Sequence, residues 1–147
     1  MSAASGEPNG LLFATTMDIR WGDLDAFNHV NNAKYQTYLE EARLRWLREI
    51  PGWLEAHAMP VMGRCELDYR RPITWPARIE IRLYVGRLGN SSFGIAHRIL
   101  DPADPSRPYA EGSVLMVWVD PTTGKPVPIP APIRAAAEAR LTGGTVN

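Results

Sequence analysis

No disulfide, no surplus of either charge and no long apolar run can be formed from this 147-residue sequence. A single cysteine, Cys65, has no internal partner, which points to a reducing compartment. Sixteen Lys and Arg against sixteen Asp and Glu give a formal net charge of zero. A broad nucleic-acid surface needs a basic excess to neutralise phosphates, so nucleic acid is not an expected partner. The same neutrality leaves little repulsion to oppose self-association. No window approaches the roughly 18 continuous apolar residues of a membrane span. The N-terminus also lacks a basic stretch followed by an apolar run. The expectation is a cytoplasmic protein with no membrane partner. His29, His57 and His97 are the only histidines, and no spacing joins two of them on one element, so no metal site is expected. Neither G-x-S-x-G, a P-loop nor G-x-G-x-x-G occurs, which removes common signatures of serine hydrolases and nucleotide binders.

What is present suits one folded domain. Hydrophobic residues make up 45% and charged residues 22%, enough apolar material for a real core. Residues 1–10 are small, polar and glycine- and proline-bearing, the composition of a disordered lead-in. The domain is expected over residues 11–141, with a loose tail at 142–147.

Hydrophobic periodicity divides that domain. Residues 11–20 alternate as a strand, with Phe13, Thr15, Met17 and Ile19 sharing one face. From Asn32 the period changes, and Tyr35, Tyr38, Leu39, Ala42 and Trp46 form one apolar helical stripe. Glu40, Glu41, Arg43, Arg45 and Arg48 are assigned to the opposite face, with Glu41 and Arg45 a supportive i,i+4 pair. Pro51-Gly52 stops this helix after about 18 residues, or roughly 27 Å. Alternation around Val61–Tyr69, Ile79–Val85 and Phe93–Ile99, and a more continuously apolar run at Tyr109–Val119, predicts four further strands. Prolines 126, 128, 130 and 132 lead to a short helix at 133–141. The fold class is therefore α+β: about five antiparallel strands, with the one long helix as the expected cover for their apolar face. An open sheet edge invites a second copy, as a dimer or a tetramer.

Chemistry concentrates in WGDLDAFNHVNNAKY, residues 21–35, a polar loop running into the long helix. Unpaired backbone N–H groups at a helix start, including that of Asn32, can hold the oxygen of a carbonyl as it becomes an oxyanion. Asp25, on the loop ahead of them, is then suited to attack an acyl carbon or to activate water. The plainer alternative is that Asp23 or Asp25 makes a turn or cap contact. His29 can bond Asp25, orient a water or hold the loop; Asn28, Asn31 and Asn32 can serve as left-handed or capping residues. Tyr35 lines a pocket or belongs to the core.

The letters Arg20-Trp21-Gly22-Asp23-Leu24-Asp25, His29-Val30-Asn31-Asn32 and Tyr35 resemble the hot-dog-fold acyl-CoA thioesterases of the 4-hydroxybenzoyl-CoA thioesterase type. Glu41-Ala42-Arg43, Tyr69-Arg70-Arg71-Pro72, Arg87-Leu88-Gly89-Asn90-Ser91-Ser92, and Val119-Asp120 with Gly124-Lys125-Pro126 extend the similarity over much of the domain. The resemblance implies a curved sheet wrapped around the long helix and a homodimer with its active sites between subunits. It implies Asp25 as the catalytic carboxylate and the Asn32 N–H as the group that polarises a thioester carbonyl. Arg87, Asn90, Ser91 and Ser92 become the candidates for contacting the nucleotide of coenzyme A, which is substrate rather than cofactor; no cofactor is expected. Asn28-His29 stands where many relatives carry Gly-Gly or Gly-Ile, and some carry a histidine in place of Asn32. The role of His29, and the choice between a covalent anhydride and an activated water, stay open.

Hydrolysis of an acyl-CoA or acyl carrier protein thioester is therefore the expected reaction. A hydratase or dehydratase of the same fold needs D-x-N-x-x-H or H-x-x-x-P, and here those letters are misplaced. A non-catalytic acyl-binding or assembly module is the remaining alternative, against which Asp25 argues. Met59, Met62, Trp75 and Phe93 are candidates for setting pocket depth.

Overall fold

The computed structural model describes residues 8, 10–55 and 57–145, the last four by backbone alone. Of the lead-in, only Pro8 and Gly10 fall among the described residues. Strand β1 (Leu11–Asp18) runs into a single 3-10 turn at Trp21–Asp23 and then helix α1 (Asn32–Arg48). Strands β2 (Met59–Tyr69), β3 (Arg78–Leu88), β4 (Ser92–Leu100) and β5 (Ala110–Val119) follow, and then helix α2 (Ala131–Thr145). The five strands form one antiparallel sheet in the order β1-β3-β4-β5-β2. Because β1 and β2 lie at opposite edges, α1 carries the chain from one edge of the sheet to the other. This is the hot-dog arrangement.

The strand pattern explains the core. Ile79, Ile81 and Leu83 on β3 and Phe93, Ile95 and Ile99 on β4 alternate inward and are essentially sealed from solvent. Burying each such side chain is worth roughly 1.5–3 kcal/mol. On α1, the expected stripe of Tyr35, Tyr38, Leu39, Ala42 and Trp46 is buried in the same cluster. Asn31 caps the helix by accepting from the Ala33 N–H at 3.0 Å, and the Glu41–Arg45 pair closes at 2.8 Å.

Four details depart from the sequence pattern. Arg43, expected on the polar face, is buried; it stands four residues after Leu39 and eight after Tyr35, so it shares their stripe. Strand β1 ends at Asp18 rather than Arg20, and a register shift between Leu11 and Phe13 buries Leu12 as well. Helix α1 is not the only cover, because Ile133 and Ala137 of α2, with Ile129 just ahead of that helix, also join the core. The backbone of α2 also continues past Leu141 through Thr145, in the segment expected to be loose. Its alanines favour the helix, and the following glycines weaken it by about 1 kcal/mol each without a proline to stop it.

Sheet packing also places His97. A Cβ at Gly112 would stand 2.1 Å from the Glu66 carbonyl oxygen, so only glycine lets β5 approach β2 there. That carbonyl lies 3.1 Å from Nε2 of His97, which sits opposite Gly112 on β4, across β5. Burial, assisted by the charge of Arg43 and opposed by the Glu66 carbonyl, pushes the imidazole down to about 4.

Candidate active site

The loop between β1 and α1 is fastened at both ends. The Asp23 carboxylate accepts from the Arg20 amide at 3.2 Å and its guanidinium at 3.3 Å, closing the 3-10 turn. It also accepts a 2.7 Å hydrogen bond from the Tyr38 hydroxyl on α1. Burial pushes this carboxyl upward, but the bonds from Tyr38 and Arg20 together hold it below the ordinary aspartate range. The Asn31 N–H donates to the Asp23 carbonyl at 2.9 Å, which ties the loop entry to the helix start. Asp23 is therefore the structural member of the Asp-x-Asp pair.

Between those ties the loop turns tightly. The Asp25 N–H donates to the His29 carbonyl at 2.9 Å, and the Asn28 N–H returns to the Asp25 carbonyl at 3.1 Å. Asn28 takes φ +59°, the left-handed conformation that asparagine tolerates. Val30 donates to the Ile73 carbonyl at 2.9 Å, and His29 pairs with Thr74. Asp25 Oδ1 accepts from the Phe27 N–H at 2.8 Å, which fixes the carboxylate while Oδ2 has no partner among the described residues. At the helix start, Asn31 engages Ala33 and Lys34. The Asn32 N–H, one of the donors that a helix cannot satisfy internally, has no acceptor among the described residues.

These groups border one cavity of about 590 Å³, lined by Asp25, Phe27, His29, Val30, Asn32, Tyr35, Tyr69, Arg70, Arg71 and Pro72. That volume is in the range of small-molecule sites. Tyr35 is buried and meets the Tyr69 ring edge-on at 4.9 Å, and the Tyr69 hydroxyl donates to the Asn32 carbonyl at 3.1 Å. Burial pushes both tyrosine hydroxyls up, so they remain neutral donors. Arg70 is ion-paired with Glu111 at 3.2 Å and Asp68 at 3.6 Å. Arg71 stacks over the Tyr109 ring at 4.1 Å and donates twice to the Arg107 carbonyl.

Asp25, His29, Asn32 and Tyr35 are thus brought together around one cavity. Within one chain, Arg87, Asn90, Ser91 and Ser92 are not part of this cavity. They surround the β3–β4 turn, at the end of β3 opposite the loop, and eleven residues of strand span roughly 35 Å. Arg87 lines a separate cavity of about 280 Å³ with Arg64, Glu66 and Ser113. The Asn90 and Ser91 carbonyls accept from Ile129 and Trp118. Met59, Met62, Trp75 and Phe93 do not line the Asp25 cavity either. Phe93 is sealed in the core, whereas the other three are exposed. The wall from Tyr69 to Pro72 was visible in sequence only as similar letters, because it reaches the loop through tertiary folding.

The description "Thioesterase-like superfamily" matches residues 19–137. The chain belongs to this superfamily. It is an enzyme of the hot-dog, 4-hydroxybenzoyl-CoA thioesterase type. It is 28% identical over 127 residues to the long-chain acyl-CoA thioesterase FadM of Escherichia coli, covering 84% of this chain and 96% of that protein. The PA2801 protein of Pseudomonas aeruginosa superposes with a TM-score of 0.81 at 40% identity, over 86% of this chain and 98% of the other. A thioesterase from Thermus thermophilus, solved in complex with coenzyme A and Zn, gives 0.74 at 34% identity, over 89% and 95%.

Proposed function

We propose that this thioesterase hydrolyses acyl-CoA thioesters, with Asp25 as its catalytic carboxylate. The observation that carries the reading is the shared cavity of the Asp25 carboxylate and the Asn32 N–H. A thioester carbonyl oxygen accepts from Asn32 N–H, which favours the negative charge that develops on addition. Asp25 then acts in one of two ways. As nucleophile it forms an acyl-aspartyl anhydride and expels the thiolate, and water afterwards cleaves the anhydride. As general base it takes a proton from water, whose oxygen adds to the carbonyl before the thiolate leaves. Both routes consume one water and yield a free acid and a thiol. His29 orients the attacking water or holds the loop.

The working unit we propose is a homodimer. Strand β2 is an outer strand of the sheet, and Met59, Met62 and Tyr69 along it are exposed. Unpaired edge groups and exposed apolar side chains along this strand favour pairing with a second copy.

A hydrolysis screen over short, long, branched and aromatic acyl-CoAs tests the reaction through thiol release. The same acyl groups on acyl carrier protein define the thiol carrier. Turnover of acyl-CoAs is the expected result; no thiol release from any thioester would refute the proposal. Single-turnover hydrolysis in heavy-oxygen water separates the two routes, because label entering the Asp25 carboxylate requires the anhydride.

A further inference from the structure

We propose that Arg71 is a specificity-determining residue that binds a carboxylate on the acyl group, so that half-thioesters of dicarboxylic acids are favoured substrates. The inference rests on the thioesterase reading and adds a substrate class to it.

The two neighbouring arginines of the cavity wall differ in their partners. Arg70 is neutralised by Glu111 and Asp68. Arg71 has no carboxylate within ion-pair distance among the described residues, although it is only partly exposed. Its guanidinium is nevertheless held in place. The Tyr109 ring lies 4.1 Å beneath it, and Nε and Nη2 both donate to the Arg107 carbonyl, at 3.1 and 2.7 Å. The Arg107 carbonyl is neutral, and the Tyr109 hydroxyl that Arg71 also meets is shared with Asp101, so no carboxylate bonds the guanidinium directly. The result is a pre-oriented cation in the wall of the cavity that holds Asp25 and Asn32.

Cavity size selects which part of the substrate this cation meets. A volume of about 590 Å³ equals a cube about 8 Å on a side. In coenzyme A, about thirteen bonds separate the sulfur from the first phosphorus, about 15 Å when extended. With the thioester carbon at Asp25, an extended arm carries the phosphates beyond this cavity. A carboxylate some five carbons along the acyl chain falls inside it. Phe27, Tyr35 and Tyr69 supply apolar wall for the intervening methylenes.

The test compares adipoyl-CoA with hexanoyl-CoA, which share chain length and differ in the terminal carboxylate. The full-length enzyme is expected to favour adipoyl-CoA in kcat/KM by about tenfold or more, given the usual worth of a hydrogen bond to a charged group. Arg71→Met should bring the ratio close to one, and Arg71→Lys, which keeps charge but not the planar group held by Tyr109 and Arg107, should give an intermediate ratio. The wild-type ratio is decisive even if Arg71→Met fails to fold. A wild-type enzyme without the preference overturns the proposal while leaving the thioesterase reading intact. Equal losses for both acyl-CoAs in Arg71→Met, absent with acyl-pantetheine thioesters, assign Arg71 to the coenzyme phosphates and also overturn it. An unchanged ratio in the variant does the same. Hydrolysis of no thioester by the wild type overturns both readings.

Discussion

The Tyr38 hydroxyl donates a 2.7 Å hydrogen bond to the carboxylate of Asp23, two residues before Asp25. This contact divides the labour of the two aspartates. Asp23 is buried and spends its oxygens on Tyr38 and Arg20, whereas Asp25 reaches the cavity. Tyr38→Phe removes the hydroxyl and leaves a buried carboxylate short of a partner. The expected loss is about 1–3 kcal/mol in unfolding free energy at neutral pH, with kcat per folded molecule little changed. Because the fold lowers the Asp23 pKa, its stabilisation is present above about pH 4 and is lost as the pH falls through the folded value. The difference between wild type and variant, measured by urea unfolding, should therefore shrink in acid.

His97 gives a pH dependence of the same sign in a higher window. Its imidazole stays neutral in the fold down to about 4, whereas the unfolded chain protonates it below its ordinary 6.5. Between those values the unfolded state binds more protons, so stability falls as the pH drops. The full effect is about 3 kcal/mol. His97→Gln should flatten the slope of urea midpoint against pH over that window. Equal slopes in both proteins would remove His97 from the acid sensitivity of the fold.

The exposed β2 edge predicts self-association. Light scattering at working concentration should report at least twice the monomer mass of 16.4 kDa. A persistent monomer with full activity would show that one chain holds a complete site.

Elements and chemistry differed in how far they could be read from the chain. Alternation located β3 and β4 because Ile79, Ile81, Leu83, Phe93 and Ile95 each face a core, and the pleat enforces that period. Asp25, His29, Asn32 and Tyr35 were legible together because one loop and one helical turn hold them. Arg43 was misread because a charged letter at a stripe position looks solvent-facing until the fold buries it. The wall of Tyr69, Arg70 and Arg71 depends on β2 returning beside the start of α1, a contact between residues 37 apart in the case of Tyr69 and Asn32. Local periodicity carries no information about such a return. Asp23 needed Tyr38 to reveal its role, since the sequence offers two aspartates with equal turn-forming capacity.

The most direct test is the kcat of Asp25→Asn on an acyl-CoA that the wild type hydrolyses, with circular dichroism as the check on folding. Asparagine keeps the side-chain oxygen that accepts from Phe27 but supplies neither a nucleophile nor a base. A normally folded variant with kcat reduced by at least about a hundredfold is the predicted result. Turnover near that of the wild type would contradict the assignment of Asp25.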